Sequence, residues 1–151
     1  MDQELRELYQ QVILDHNKSP RNFRVIENPT QEADGHNPLC GDTLHVYLHV
    51  EDDIIKDVSF QGSGCAISKA SASLMTSMIK GKSVEEAEKL FENFHALVTG
   101  KLGDDPDLSE LGKLAVFAGV QEFPVRVKCA SLAWHTMETA LHQNGKEVTT
   151  E

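Results

Sequence analysis

Two changes of hydrophobic period divide the chain into a helix, a strand hairpin and a further series of helices. Apolar side chains recur at helical spacing near the N terminus, alternate with polar ones across residues 43–61 as hairpin strands do, and return to helical spacing after Gly64. At 151 residues, with 40% hydrophobic and 25% charged side chains, the chain is expected to form one domain around one core. Its formal charge of -10 works against non-specific binding to nucleic acid or anionic membranes, which relies on clustered Lys and Arg. A basic protein partner suits it better. Met1-Asp2-Gln3-Glu4 carries acids and no apolar run, and no segment approaches a membrane span, so neither a targeting signal nor a membrane association is expected. The default compartment is the cytoplasm.

Leu5, Leu8, Tyr9, Val12 and Ile13 place an amphipathic helix over about residues 3–16, its stripe serving as core or docking surface. His16 reads as a polar helix-end residue, and Asp15 to Phe23, punctuated by Pro20, as loop. Gln31 to His36 is too short and polar to assign to one element, an edge strand before the turn being one reading. Leu44, Val46, Leu48 and Val50 then alternate with Thr43, His45, Tyr47 and His49, the pattern of a half-buried strand. Glu51-Asp52-Asp53 supplies a turn, and Ile54 to Gln61 returns with Ile54, Val58 and Phe60 on one face, closing an antiparallel hairpin. His45 and His49 lie about 13 Å apart on a strand, too far to share an ion, and read as solvent-facing.

Gly62-Ser63-Gly64-Cys65 opens a helix rich in small residues that Gly81 ends. Ser83-Val84-Glu85-Glu86 is a capping box for the next helix, with Ala87, Leu90, Phe91, Phe94 and Leu97-Val98 inward and Gly100 closing it. Lys101 to Asp107 is loop, and Leu108 to Ala118 a short helix stopped near Gly119. Pro124 is expected to break the chain before a last amphipathic helix from Ala130 to about His142, which Asn144-Gly145 ends. Residues 146–151 form a flexible tail in this reading.

Chemistry concentrates at three cysteines. Cys40, Cys65 and Cys129 are too few and too far apart for a disulfide framework, which leaves metal binding, catalysis or plain burial. In Asn37-Pro38-Leu39-Cys40-Gly41-Asp42 a thiol and a carboxylate stand two residues apart, and extended backbone turns both to one side, with Gly41 leaving the approach open. That is half of a metal site, although on this spacing alone a turn before an ordinary strand is the simpler reading. Cys65 stands at a helix start, where free amides favour thiolate; the Gly-Ser-Gly before it lacks the Gly-Lys-Ser/Thr of a phosphate-binding loop. Cys129 reads as a second helix-start thiol, with Arg126 and Lys128 beside it to lower its pKa. Three thiols and Asp42 make a four-ligand set that suits zinc or an iron-sulfur centre better than magnesium or calcium. Three buried cysteines on separate core elements would leave the same sequence.

Several runs together resemble the NifU/IscU-like iron-sulfur assembly proteins, and most closely their SufU-like branch. They are Leu8-Tyr9 to Asp15-His16 with Pro20 and Asn22; Asn37 to Asp42; Gly62 to Ser68; Gly81-Lys82-Ser83; and Phe123 to Trp134. The resemblance covers nearly the whole chain and implies an α+β fold, a small antiparallel sheet of about three strands packed against an N-terminal helix and several C-terminal helices, with a metal site exposed at one end. Two departures separate the chain from the IscU-type scaffolds: Glu122-Phe123-Pro124-Val125-Arg126 stands where they carry Leu-Pro-Pro-Val-Lys, and Lys128 where they carry His. Residues of about 100–122 match a helical insertion of the SufU-like branch. The implied activity is zinc-dependent, sulfurtransferase-like acceptance of persulfide sulfur from a PLP-dependent, SufS-like cysteine desulfurase, with a SufBCD-type scaffold complex downstream. Mapped by position, Cys40, Asp42, Cys65 and Cys129 would hold zinc and Cys40 would take the sulfur; Arg126, by its nearness in sequence to Cys129, would pair with Asp42 or steady the persulfide. The alternatives are a scaffold that builds a [2Fe-2S] cluster on the same ligands and a module whose zinc is only structural.

Overall fold

The computed structural model describes residues 3–101, 111–142 and 147–149. Helix α1 spans Gln3–Lys18; strands β1 (Gln31–Asn37), β2 (Asp42–Glu51) and β3 (Ile54–Ser63) follow, then helices α2 (Ala66–Ile79) and α3 (Val84–Val98), a 3-10 segment Gly112–Glu122, helix α4 (Pro124–His142) and a short strand β4 (Glu147–Thr149). The sheet order is β3-β2-β1-β4, antiparallel throughout except for the parallel β1–β4 pair. Glu147–Thr149, read from sequence as part of a flexible tail, thus adds a fourth strand. The expected loop at Lys101 to Asp107 falls largely, and the expected helix stop at Asn144-Gly145 wholly, outside the described residues.

The alternation in β2 gives the sheet two unlike faces. Leu44, Val46 and Leu48 are buried with Asp42, while His45 and His49 turn outward to Asp34 and Glu51. The hairpin closes on Asp52 and Asp53, both at positive φ, as a two-residue turn requires. Ile55 rather than Ile54 joins Val58 and Phe60 in the core. A bulge near His49/Val50 explains the change: it adds one residue to β3, and one extra residue exchanges the two faces of the strand beyond it.

Helix α4 packs on the buried face of β1 and β2, with α2, α3 and the 3-10 segment around it. The small residues Ala33 and Gly35 of β1 permit its approach. A Cβ on Gly35 would come within 2.0 Å of Thr136 Oγ1 and 3.1 Å of Leu132 Cδ1. Trp134 is fully buried and stacks on Phe94, with ring centroids 4.9 Å apart. Pro124 opens α4 instead of preceding it, because proline is well placed at the first helical position, where no backbone N–H is needed. The helix therefore starts six residues before Ala130.

The expected helix over 108–118 is a 3-10 segment where described, and it continues past Gly119 to Glu122. Leu111, Leu114, Phe117 and Val120 are buried at a spacing of three, which aligns side chains on a 3-10 helix and not on an α-helix. The capping box is formed: Ser83 Oγ accepts from the Glu86 amide at 3.0 Å and the Ser83 amide donates to Glu86 Oε1 at 3.2 Å.

His16 differs from expectation. It is 3% exposed, and its Nδ1 lies 2.7 Å from Ser73 Oγ on α2, which also accepts the Arg21 amide at 2.8 Å. This serine ties α1 and the following loop to α2. Burial, and then the nearby Arg21 charge, hold the His16 pKa below its ordinary value of 6.5. The unfolded chain then takes the proton first, so stability is complete above about pH 6.5 and lost as the pH falls below it. Urea unfolding between pH 7 and pH 5 should show that decline, and His16→Gln should reduce its slope, leaving the part due to the half-buried His135, whose pKa burial also lowers.

Candidate metal centre

The sheet and the helices bring the three cysteines and one carboxylate to one end of the fold. Asn37 and Asp42 face each other as the last pair of the β1–β2 ladder, and the tight link between them carries Cys40 and Gly41. The Cys40 amide donates to the Asn37 carbonyl at 3.3 Å, and Gly41 takes φ +71°. Among the described residues, and apart from its chain neighbours, no atom lies within 4 Å of where a Gly41 Cβ would stand, so the approach to Cys40 is open. Cys40 is exposed, Cys65 is half-buried and Cys129 is buried.

Asp42 is 1% exposed. Its Oδ1 accepts the Cys65 amide at 2.8 Å and its Oδ2 accepts from Asn37 Nδ2 at 3.2 Å. Among the described residues these hydrogen-bond partners are neutral, and a buried carboxylate with neutral partners only is unfavourable unless a cation joins it. Gly64 makes room for that carboxylate: a Cβ there would meet Asp42 Oδ1 at 2.5 Å.

Cys65 is the N-cap of α2, as its position after the glycine-bounded turn predicts, and its Sγ accepts the Ser68 amide at 3.4 Å. Cys129 is not at a helix start, because α4 begins at Pro124. It sits in the second turn, 3.2 Å from Cys40 Sγ and 3.4 Å from Asn37 Nδ2. Burial first, and then the Cys40 and Cys65 thiols and the Asp42 charge, push the Cys129 thiol up from its ordinary value. The lowering expected from Arg126 and Lys128 is absent for that reason.

Ligand atoms of Cys40, Asp42 and Cys129 all lie within 4.8 Å of one another. Cys65 Sγ stands at the edge of this group, 3.9 Å from Asp42 Oδ2. A buried carboxylate, a buried thiol pushed toward its neutral form by its neighbours, and two further thiols fit a soft divalent cation, which would let several of these acids ionise together. Arg126 does not take the Asp42 carboxylate. Its guanidinium lies over the Phe123 ring, 4.7 Å from the centroid, on the rim of an open groove that also borders Cys40, Cys65 and Cys129. Leu39, Phe123 and Val125 are exposed close to these residues in sequence.

Residues 8–145 match the family described as NifU-like N terminal domain. The chain belongs to the NifU-like N-terminal domain family. It is 44% identical over 131 residues to the zinc-dependent sulfurtransferase SufU of Bacillus subtilis, covering 87% of each chain. It is 38% identical over 140 residues to the iron-sulfur cluster assembly scaffold protein IscU of Streptococcus pyogenes, covering 93% of this chain and 86% of that one. A crystal structure from Fervidobacterium islandicum, named as a candidate iron-sulfur cluster assembly scaffold for the SUF system, superposes with a TM-score of 0.82 at 38% identity, covering 89% of this chain and 97% of that one. The α+β fold expected from the family resemblance is therefore shared across its length. No helix among the described residues of this NifU-like chain is long and apolar enough to cross a membrane.

The role of Asn37 was not legible in sequence, since its partner Cys129 is 92 positions away. The parity of β1 carries a faint signal of it, as Ala33, Gly35 and Asn37 share the buried face. Because the Gly64 position has no space for a side chain, Gly64→Ala is expected to displace the Asp42 carboxylate and weaken zinc binding about 10- to 100-fold, the range seen when groups that orient a ligand are disturbed. Competition against a chromophoric chelator measures this.

Proposed function

We propose that this protein is a zinc-dependent sulfur acceptor that takes persulfide sulfur from a PLP-dependent cysteine desulfurase onto Cys40 for iron-sulfur cluster assembly. The observation that carries the reading is the gradation of exposure: three thiols and Asp42 converge, yet only Cys40 is exposed, on an open turn. Cys40, Asp42, Cys65 and Cys129 would hold the metal. Zinc, when bound, supplies the positive charge that keeps its cysteine ligands as thiolates at neutral pH.

The remaining chemistry belongs to this chain and its partner. Cys40 Sγ, as thiolate, attacks the terminal sulfur of the desulfurase persulfide. A bond forms from Cys40 Sγ to that sulfur, the desulfurase S–S bond breaks, and its electron pair leaves on the desulfurase cysteine as thiolate. No external oxidant or reductant enters, and the terminal sulfur keeps its proton or loses it to water. The exposed side of Cys40 faces the approach, while burial withholds Cys129 from the same attack. Arg126, exposed and lining the groove that borders Cys40, would steady the persulfide anion. Its guanidinium lies over the Phe123 ring.

The similarity to an IscU scaffold keeps a second reading in view, assembly of a [2Fe-2S] cluster on the same ligands. Lys128 in place of the scaffold histidine counts against it. Alanine release from L-cysteine by the desulfurase separates the two. The zinc-loaded protein should accelerate turnover, the stripped protein should not, and Cys40→Ala should abolish the effect. Arg126→Ala should slow sulfur transfer about 10-fold or more with zinc affinity unchanged. Stimulation that survives zinc removal, with a coloured cluster forming on added iron, would replace this reading by the scaffold one.

A further inference from the structure

Asn37 is fully buried, at the end of β1, and aims its amide at the site just described. Its Nδ2 donates to Asp42 Oδ2 at 3.2 Å and to Cys129 Sγ at 3.4 Å, and its backbone carbonyl accepts the Cys40 amide at 3.3 Å. Its Oδ1 is buried with no hydrogen-bond partner among the described residues. An unpaired buried amide oxygen is unfavourable. Turning the amide over would be worse, because it would set that oxygen against a carboxylate and a sulfur, both acceptors. Two N–H groups facing two acceptors account for both the orientation and the orphaned oxygen.

We propose that Asn37 is a positioning residue for sulfur transfer: it holds Asp42 and Cys129 as the standing ligands, so that Cys40 is the ligand that exchanges. This inference rests on the reading of the site as a zinc-dependent sulfur acceptor. The three thiols differ in what they receive. Cys129 accepts the Asn37 amide and Cys65 accepts the Ser68 amide. Among the described residues, the contact found at Cys40 Sγ is the Cys129 thiol, 3.2 Å away. A hydrogen bond from N–H draws charge from a thiolate and lowers its reactivity. The two thiols that carry such bonds are therefore the quieter ones, and Cys40 is left as the nucleophile. Exposure alone would rank Cys40 first; the Asn37 bond adds that Cys129 is actively held.

The test compares the wild-type chain with Asn37→Ala and with Asn37→Leu, which keeps the volume and removes both donors. Circular dichroism identifies which variants fold, and the leucine variant serves if the alanine one does not. Zinc competition with a chromophoric chelator should show binding weakened about 10- to 100-fold, and the cobalt-substituted protein should show shifted ligand-field bands. After incubation with the persulfidated desulfurase, sulfane sulfur should appear on Cys129 as well as on Cys40. A folded variant with wild-type zinc affinity, cobalt spectrum and sulfur on Cys40 alone would overturn the role of Asn37 and leave the acceptor reading intact. A wild-type chain that binds no zinc would overturn both.

Discussion

The buried carboxylate of Asp42 is the constraint on which the site end of the molecule depends. It stands at the first residue of β2, accepts the amide of the α2 N-cap Cys65, and accepts the side-chain amide of Asn37 at the end of β1. Asn37 in turn touches Cys129 on α4. One carboxylate thus joins two strands and, through its partners, two helices. Such a group is costly to desolvate, and neutral donors relieve only part of that cost. The same arrangement that burdens the metal-free protein makes a receptive place for a divalent cation.

The frame around that carboxylate explains why the four candidate ligands differ. Antiparallel pairing ends at Asn37 and Asp42 and throws the intervening turn outward, so Cys40 is exposed on a backbone that Gly41 bends. Close packing of α4 on Ala33 and Gly35 does the opposite to Cys129, carrying it inward. Cys65 lies between these extremes, held by its own helix through the Ser68 amide. A site made from a strand end, a helix cap and a helix interior therefore has one exposed ligand and three restrained ones. That asymmetry is what a sulfur acceptor requires, and a purely structural zinc site has no use for it.

Much of the fold was legible because its signals are local. The alternation of Leu44, Val46 and Leu48, the Ser83 to Glu86 capping box and the Cys65 helix start all act within a few residues. What sequence reading missed depends on contacts distant in the chain or on geometry that leaves little trace in residue type. The bulge that exchanges Ile54 for Ile55 is set by pairing with β2. His16 is buried because Ser73, 57 positions on, receives it. The period of three in Leu111, Leu114, Phe117 and Val120 was visible, but reads as α-helical unless 3-10 geometry is considered. Pro124 reads as a break and equally as a helix opener, and the first reading puts Cys129 at a helix start instead of in the second turn. The candidate ligands Cys40, Asp42, Cys65 and Cys129 are visible in the sequence; which of them are restrained is not, because Asn37 reaches across the fold.

The most direct measurement is a map of sulfane sulfur on the zinc-loaded protein after one turnover with its desulfurase, made by peptide mass spectrometry under non-reducing conditions. One added sulfur is expected, on the peptide carrying Cys40, with Cys65 and Cys129 unmodified. Sulfur found first on Cys65 or Cys129, or none on any cysteine while the desulfurase turns over, would contradict it.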